Sequence, residues 1–573
     1  MKSALFIFMD KIKKSIAQII SKKIKVKQNE ILESIEKPPN RIKADFALPC
    51  FRFSKKLKKN PETIALDIFS VFENVKKPFL KSVEPLGPYV NFYLDWQYLG
   101  GKILREVLKK KEKYGSAKKR KKILVEHTSA NPDGPLHIGH FRNSVLGDSI
   151  ARILKFSGNR VRTEFYVNDT GRQIAIAVME SMRTEKRLEG KPDWWVLNLY
   201  ISGNRKIEKD PKLEKELRNI MLRYESGDKE LLGAYSFIVD SCLEGHKETL
   251  KRIGIKIDNF VKESKFIFNG DVYKILDKIK KLPQGKIDGK RIWVDLKKAG
   301  IDREFTLTRS DGTTIYPARD LAYHKDKFSR ARFNISIIGT DQKFYFKQLI
   351  ETLKLLFPKK VKNYKVIFYE FLLLPTGSLS TRKGRFISVD ELVDKVIERA
   401  REVVEEKMPH YNESLKNKIA EVVGVGALKY AMLKVSPEKT YTFNIEDILN
   451  FEGNTAPYIQ YTYARACSIL RKAGIKRYTY NAKLLEREEE ISLLKKLSEF
   501  PRIVSDAAEQ CRPHFIANYA YELSSLFNEF YQKVPVIHSQ QDLKTTRLSL
   551  VKAVTIVLRN ALGLLGIEAP ERM

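Results

Sequence analysis

A parallel α/β domain, split by a mainly helical insertion and flanked by a small α+β domain before it and an all-α bundle after it, is the architecture this sequence predicts. Three observations lead there. Strand, helix and strand patterns follow one another within about 45 residues of Lys122, a βαβ arrangement that requires a parallel sheet. A second such set runs from Asn334 to Leu373. After Val389 nearly every segment through Met573 carries helical apolar spacing.

Residues 1–115 open with a Lys-rich amphipathic stretch, Asp10 to Lys27. Gly87-Pro88 signals a turn, and Tyr89 to Leu94 reads as a strand rich in β-formers, so a small α+β domain is expected. Lys109 to Lys122 is charged and nearly devoid of apolar residues, as a linker would be. Residues 116–395 form the α/β domain. Ile123-Leu124-Val125 is a short buried strand, Asn131 to Pro135 a loop, and a helix begins near His140 with apolar positions Phe141, Val145, Ile153 and Leu154. Val161, Thr163, Phe165 and Val167 alternate as the next strand. The charged, mostly helical stretch at about 179–302 reads as an insertion. Beyond it, Asn334–Ile338 is a strand, Phe344–Phe357 a helix and Val366–Leu373 a strand that ends in a Pro/Gly/Ser loop. The pattern is Rossmann-type. Residues 396–573 form the helical bundle.

Composition narrows the function. Across 573 residues, 106 Lys and Arg stand against 70 Asp and Glu, a net charge of +36 with a pI near 9.7. A basic folded chain of this size suggests a polyanionic partner, although general solubility produces the same balance. The 43% hydrophobic and 10% aromatic content excludes disorder for the bulk of the chain. No stretch approaches the roughly 18 continuous apolar residues of a membrane span. The Leu5–Met9 run is short and broken by Asp10, so a cytoplasmic chain with no membrane contact is expected. Four scattered cysteines (Cys50, Cys242, Cys467, Cys511) exclude a disulfide scaffold and form no CxxC pair.

Two motifs carry chemistry. His137-Ile138-Gly139-His140 lies where a parallel strand gives way to a helix, the place where α/β sheets bind ligands and helix N-termini favour phosphate. Two imidazoles three apart share one side of the first turn and can donate to developing phosphoryl charge, while Gly139 allows close backbone approach. At this composition His-x-Gly-His arises by chance about six times in a thousand such chains. The second motif is the basic loop Ser378-Leu379-Ser380-Thr381-Arg382-Lys383-Gly384-Arg385, placed to offset charge on a pyrophosphate leaving group.

With these motifs the chain resembles the class I aminoacyl-tRNA synthetases, His137–His140 standing for their HIGH signature and Ser378–Lys383 for their KMSKS-type loop. It resembles most closely the arginyl family of archaeal type, through Glu126-His127-Thr128-Ser129-Ala130-Asn131-Pro132 and Tyr166-Val167-Asn168-Asp169-Thr170-Gly171-Arg172-Gln173. Further matching stretches are Tyr316-Pro317-Ala318-Arg319-Asp320, Gly339-Thr340-Asp341-Gln342, Ala456 to Arg465 and the terminal Glu571-Arg572-Met573. The resemblance implies that L-arginine is activated with ATP, accompanied by Mg2+, and passed to the terminal adenosine of arginine tRNA. It implies no tightly bound metal or organic cofactor. By the family's pattern His137, Gly139, His140, Gly339 and Lys383 hold ATP, and His137, His140, Arg382 and Lys383 serve the chemistry. Tyr316 and Asp320 face the guanidinium, while Glu126, Asn131 and Gln342 hold the α-amino group and its neighbours. Carboxylates suit a planar, permanent cation, and a site that leaves one unpaired rejects neutral analogues, so no editing domain is needed.

One departure stands out. Neither lysine of Lys-Met-Ser-Lys-Ser is in register here, and the compensating position before the first signature is Gly134, so Lys383 or Arg382 is expected to take the phosphate contact. The resemblance also implies tRNA contacts at Tyr461 and Arg465 in the bundle, and at Tyr89 and Asn91 in the N-terminal domain. A monomer is expected. The cysteinyl class would need zinc-ligand cysteines near the site, and the glutamyl classes would need basic pocket residues in place of Glu126 and Asp320. A non-catalytic RNA-binding relative is the other reading, and the intact histidine motif argues against it.

Overall fold

The computed structural model describes all residues except 1–3, 40, 119, 184–189, 371, 374–386 and 476. The N-terminal domain packs helices against a three-stranded antiparallel sheet of β1 (Phe46–Pro49), β2 (Leu80–Leu86) and β3 (Tyr89–Leu94), in the order β1-β3-β2. Gly87, at φ +52°, makes the turn that joins β2 to β3.

The central domain is a five-stranded sheet of β4 (Lys122–Glu126), β5 (Arg160–Val167), β6 (Asn259–Lys262), β10 (Phe333–Gly339) and β11 (Tyr364–Tyr369). Every pairing is parallel and the order is β11-β10-β4-β5-β6. The chain runs outward from β4 through β5 to β6, then returns to the other side of β4. The order therefore reverses between β4 and β10, which opens a crevice at their carboxyl ends. Glu126 ends β4, Gly339 ends β10, and Glu126 pairs with Ser336 across the switch. The candidate ligand residues follow from this topology.

The segment at 179–302 contains the Pro192–Lys209, Lys212–Glu225 and Lys229–Arg252 helices, but also β6, an edge strand of the central sheet. It also holds β7 (Gly285–Asp288) and β8 (Arg291–Val294), which pair with β9 (Phe305–Thr306) as an antiparallel meander. Four-residue strands among lysines carry too little alternation to be read from sequence.

The helical bundle runs from the Val389–Lys407 helix to the Gln541–Leu564 helix. Ser388 caps the first of these with its hydroxyl and Glu391 reaches back, a capping box. The expected linker is not free. Tyr114 is fully buried, stacks on Phe500 with 6.1 Å between ring centres, and donates to Leu497 O at 2.8 Å. One aromatic in a lysine run thus fastens the domain junction to the bundle. Among the described residues no helix is long and apolar enough to cross a membrane.

Candidate active site

At the switch point a cavity of about 600 Å³ is lined by Glu126, Asn131, His137, Gly139, His140, Tyr316, Asp320, Gly339 and Gln342. Segments up to some 200 residues apart in sequence thus meet, and every predicted arginine residue is among them. Arg382 and Lys383 lie outside the described residues. Their flank is placed, however: Ser388 forms a backbone bridge with His137, and Val389 N–H donates to Leu136 O at 2.7 Å.

The helix carrying the first signature is Ile138–Phe156, and His137 is its cap. His137 Nδ1 accepts from Gly139 N–H at 3.1 Å, and His140 Nδ1 accepts from His137 N–H at 3.3 Å. Each acceptor bond fixes the tautomer, so Nε2 carries the proton of both neutral rings. The rings stack with centres 3.7 Å apart. Burial lowers His137 to about 4, and burial, His137 and His246 push His140 well below the usual histidine range. The two imidazoles are therefore uncharged donors at neutral pH, which permits their stacking.

The turn after β4 holds Thr128 at φ +70° and Ser129 at φ +39°. A β-branched residue in the left-handed region is strained and persists only when its surroundings fix it. Here Thr128 N–H donates to Asn143 Oδ1 at 2.6 Å and its hydroxyl contacts Ser144 Oγ at 2.8 Å. His127 packs beneath, against Gly147, where an added Cβ would sit 2.2 Å from the ring. The bend swings the chain from Glu126 toward Asn131, which is exposed and donates to Gln173 Oε1 at 3.2 Å.

The Tyr316–Arg330 helix supplies the acidic end. Tyr316, at its start, is half exposed and its ring lies 5.1 Å from that of Tyr345. Asp320, one turn on, accepts from Tyr345 OH at 2.8 Å and lies 2.9 Å from His324 Nδ1. Burial alone would raise its carboxyl, but His324, Tyr345 and the more distant charge of Lys327 outweigh that and hold it below the usual range, hence ionised. Glu126 accepts from Lys327 Nζ at 2.5 Å and from Ser336 Oγ at 2.7 Å. Glu263 also lines the cavity and is raised by burial against the pull of Arg319, its partner at 3.4 Å.

Sequence reasoning missed Asn143, Tyr345, His324 and Lys327. Helical spacing from Tyr316 through Asp320 is the signal that puts His324 and Lys327 on that face, whereas Asn143 and Tyr345 come from other helices. Of the N-terminal contacts, Asn91 is 2% exposed between buried Val90 and Phe92, which does not favour it as a base contact. Tyr89 is partly exposed beside Phe51. In the bundle Tyr461 and Arg465 line a second cavity of about 710 Å³ with Phe451, Tyr458 and Met573. The Arg465 guanidinium lies 4.8 Å from the ring centres of both Tyr461 and Tyr531 and donates to Asn528 Oδ1 at 2.8 Å.

Comparison with known proteins bears on all three parts. Residues 103–445 match the family model of the catalytic domain of class I (R) tRNA synthetases, 459–573 the DALR anticodon binding domain, and 10–94 the arginyl tRNA synthetase N-terminal domain. The arginine–tRNA ligase of Methanosarcina barkeri is 42% identical over 530 residues, covering 91% of this chain and 92% of its own. That of Methanocaldococcus jannaschii is 40% identical over 575 residues and 98% of each chain. The solved Thermus thermophilus arginyl-tRNA synthetase superposes with a TM-score of 0.81 at 28% identity, over 98% of this chain and 99% of the other.

Proposed function

From the premise that this chain belongs to the arginyl-tRNA synthetase family and is an arginine–tRNA ligase, we propose how its residues divide the work. The substrates are L-arginine, ATP and arginine tRNA. The arginine carboxylate oxygen attacks the α-phosphorus of ATP, the bond to the β-phosphate oxygen breaks, and pyrophosphate leaves. A ribose hydroxyl of the terminal adenosine then attacks the arginyl carbonyl, and AMP leaves.

Asp320, ionised and framed by Tyr345 and Tyr316, takes the guanidinium. Glu126 Oε1, Asn131 and Gln342 orient the α-amino end, which aims the carboxylate at the α-phosphorus. Nε2–H of His137 and of His140 donate to the oxygens of that phosphorus as negative charge builds there. As neutral donors they add no charge that solvent must rearrange around. Gly339 at the end of β10 borders the nucleotide. Because positioning and electrostatics suffice for such phosphoryl transfer, no covalent enzyme intermediate is required.

The observation that carries this reading is that one cavity joins Asp320 and Glu126 to the paired imidazoles. Tyr461, with Arg465 fixed over its ring, is a platform for an unstacked base, and Tyr89 is the remaining candidate contact in the N-terminal domain. Mg2+ enters with ATP, and the chain acts as a cytoplasmic monomer. Arginine-dependent exchange of pyrophosphate into ATP, measured with and without cognate tRNA, tests the proposal. Exchange in at least one condition is expected, and none in either would overturn it.

A further inference from the structure

Of the four carboxylates that line the cavity, Glu126, Glu263, Asp320 and Asp341, the two assigned to arginine are unlike each other in one respect that the reaction scheme leaves unused. Glu126 is 6% exposed and its Oε2 is occupied by the ammonium of Lys327, which is itself 0% exposed. That ammonium also reaches Ser336 Oγ at 3.1 Å, and the rings of Tyr323 and Tyr364 lie 4.6 and 5.2 Å from it. Two oxygens and two aromatic faces leave it no path to water. Asp320, by contrast, accepts from the Tyr345 phenol and lies 2.9 Å from the His324 imidazole, and no lysine or arginine among the described residues is ion-paired with it.

A buried ion pair is a poor device for stability, since apolar residues of equal volume usually serve as well. Here the pair cannot be exchanged for an apolar one without removing the acceptor that Glu126 offers the cavity. The arrangement instead counts charge. The α-end of an amino acid carries an ammonium and a carboxylate and is neutral overall, and the Glu126–Lys327 pair that meets it is neutral too. The side-chain end is a single cation, and Asp320 is a single anion.

We propose that Lys327 is the internal counter-ion of the arginine pocket. By holding Oε2 of Glu126 it cancels that carboxylate's net charge and leaves Oε1 to orient the α-amino group, so that of the two arginine carboxylates Asp320 is the one whose charge the guanidinium meets. Lys327 is thus a positioning residue that selects ligands with an intact α-carboxylate. The inference rests on the arginine reading of the cavity.

The test is calorimetric titration of the full chain with L-arginine and with L-argininamide, whose α-end is a cation. The readout is the ratio of the two dissociation constants, argininamide over arginine. Loss of the ammonium in Lys327→Met leaves Glu126 unbalanced, so the ratio is expected to fall about tenfold or more. Glu126→Gln leaves Lys327 unbalanced and is expected to raise it by a similar factor. The Glu126→Gln/Lys327→Met double variant returns it to near the wild-type ratio, and Lys327→Arg leaves it unchanged. A part played only in folding would not shift the ratio in opposite directions. An unchanged ratio in a folded Lys327→Met protein overturns the proposal. Should that variant not fold, Glu126→Gln and the double variant decide: a ratio unmoved in the first, or not restored in the second, overturns it. Failure of the wild-type chain to bind either ligand would instead sink the arginine reading.

Discussion

The two ends of the catalytic cavity solve the problem of holding charge in opposite ways. At the phosphate end, where the ligand brings negative charge, the described residues offer neutral groups: two stacked imidazoles whose protons are placed by backbone N–H bonds to Nδ1. At the amino-acid end it uses carboxylates: Glu126 ion-paired with Lys327, and Asp320 held by the Tyr345 hydroxyl and the His324 imidazole. The difference follows from what must change during the reaction. Charge on the phosphate redistributes, so donors that need not ionise serve it best. The guanidinium stays charged throughout, so a fixed anion serves it best.

The sharpest way to break the comparison is Asp320→Asn. Its removal of a buried anion is expected to lower kcat/KM for arginine about a thousandfold or more, with KM for ATP within a few-fold of wild type. Equal damage to both substrates would mean that the two ends are not separable. His140→Ala comes next: kcat is expected to fall about a hundredfold, as for loss of a transition-state donor, with KM for arginine little changed. Wild-type turnover would remove His140 from the phosphate end.

Acid stability sharpens the same contrast. His127 and His246 are fully buried, and burial lowers each to about 4. The unfolded chain therefore binds more protons than the folded one between pH 4 and 6.5, so folding stability rises with pH through that window. On acidification from 6.5 to 4 each contributes a loss of up to about 3 kcal/mol, read as falling urea midpoints at stepped pH. A midpoint flat across that range would show that these rings are not held neutral. The smallest effect belongs outside the cavity. Tyr461→Ala is expected to raise KM for tRNA about tenfold while arginine-dependent exchange at saturating tRNA is unchanged. A loss in exchange would tie the bundle cavity to the chemistry.

Much of this was legible in the sequence, and the residues that were not share a cause. The strands β4 and β10, the signature helix and the co-location of Glu126, Asp320 and the histidines all follow from periodicity, motif and family resemblance. The helix begins at Ile138 rather than near His140 because His137 is itself the cap. Lys327 was hidden because 106 basic residues make a buried one look like the rest. The burial of Asn91 is not legible because Val90, Asn91 and Phe92 are buried in succession, so the strand shows no in–out alternation there. β6 escaped because four residues cannot show a period. What sequence pattern conveys is which face is apolar; which polar group is paired beneath it is settled only by packing.

The ring of Tyr114 bears on how the domains are joined. A lysine-dense connector left loose would act as a swivel; here Asp45 of the N-terminal domain also meets Lys495 of the bundle at 2.7 Å, so the two are in direct contact. The Tyr114 phenol, stacked on Phe500 and donating to Leu497 O, adds a clasp at the connector itself, so the lysine run is seated on the bundle rather than hinged beside it.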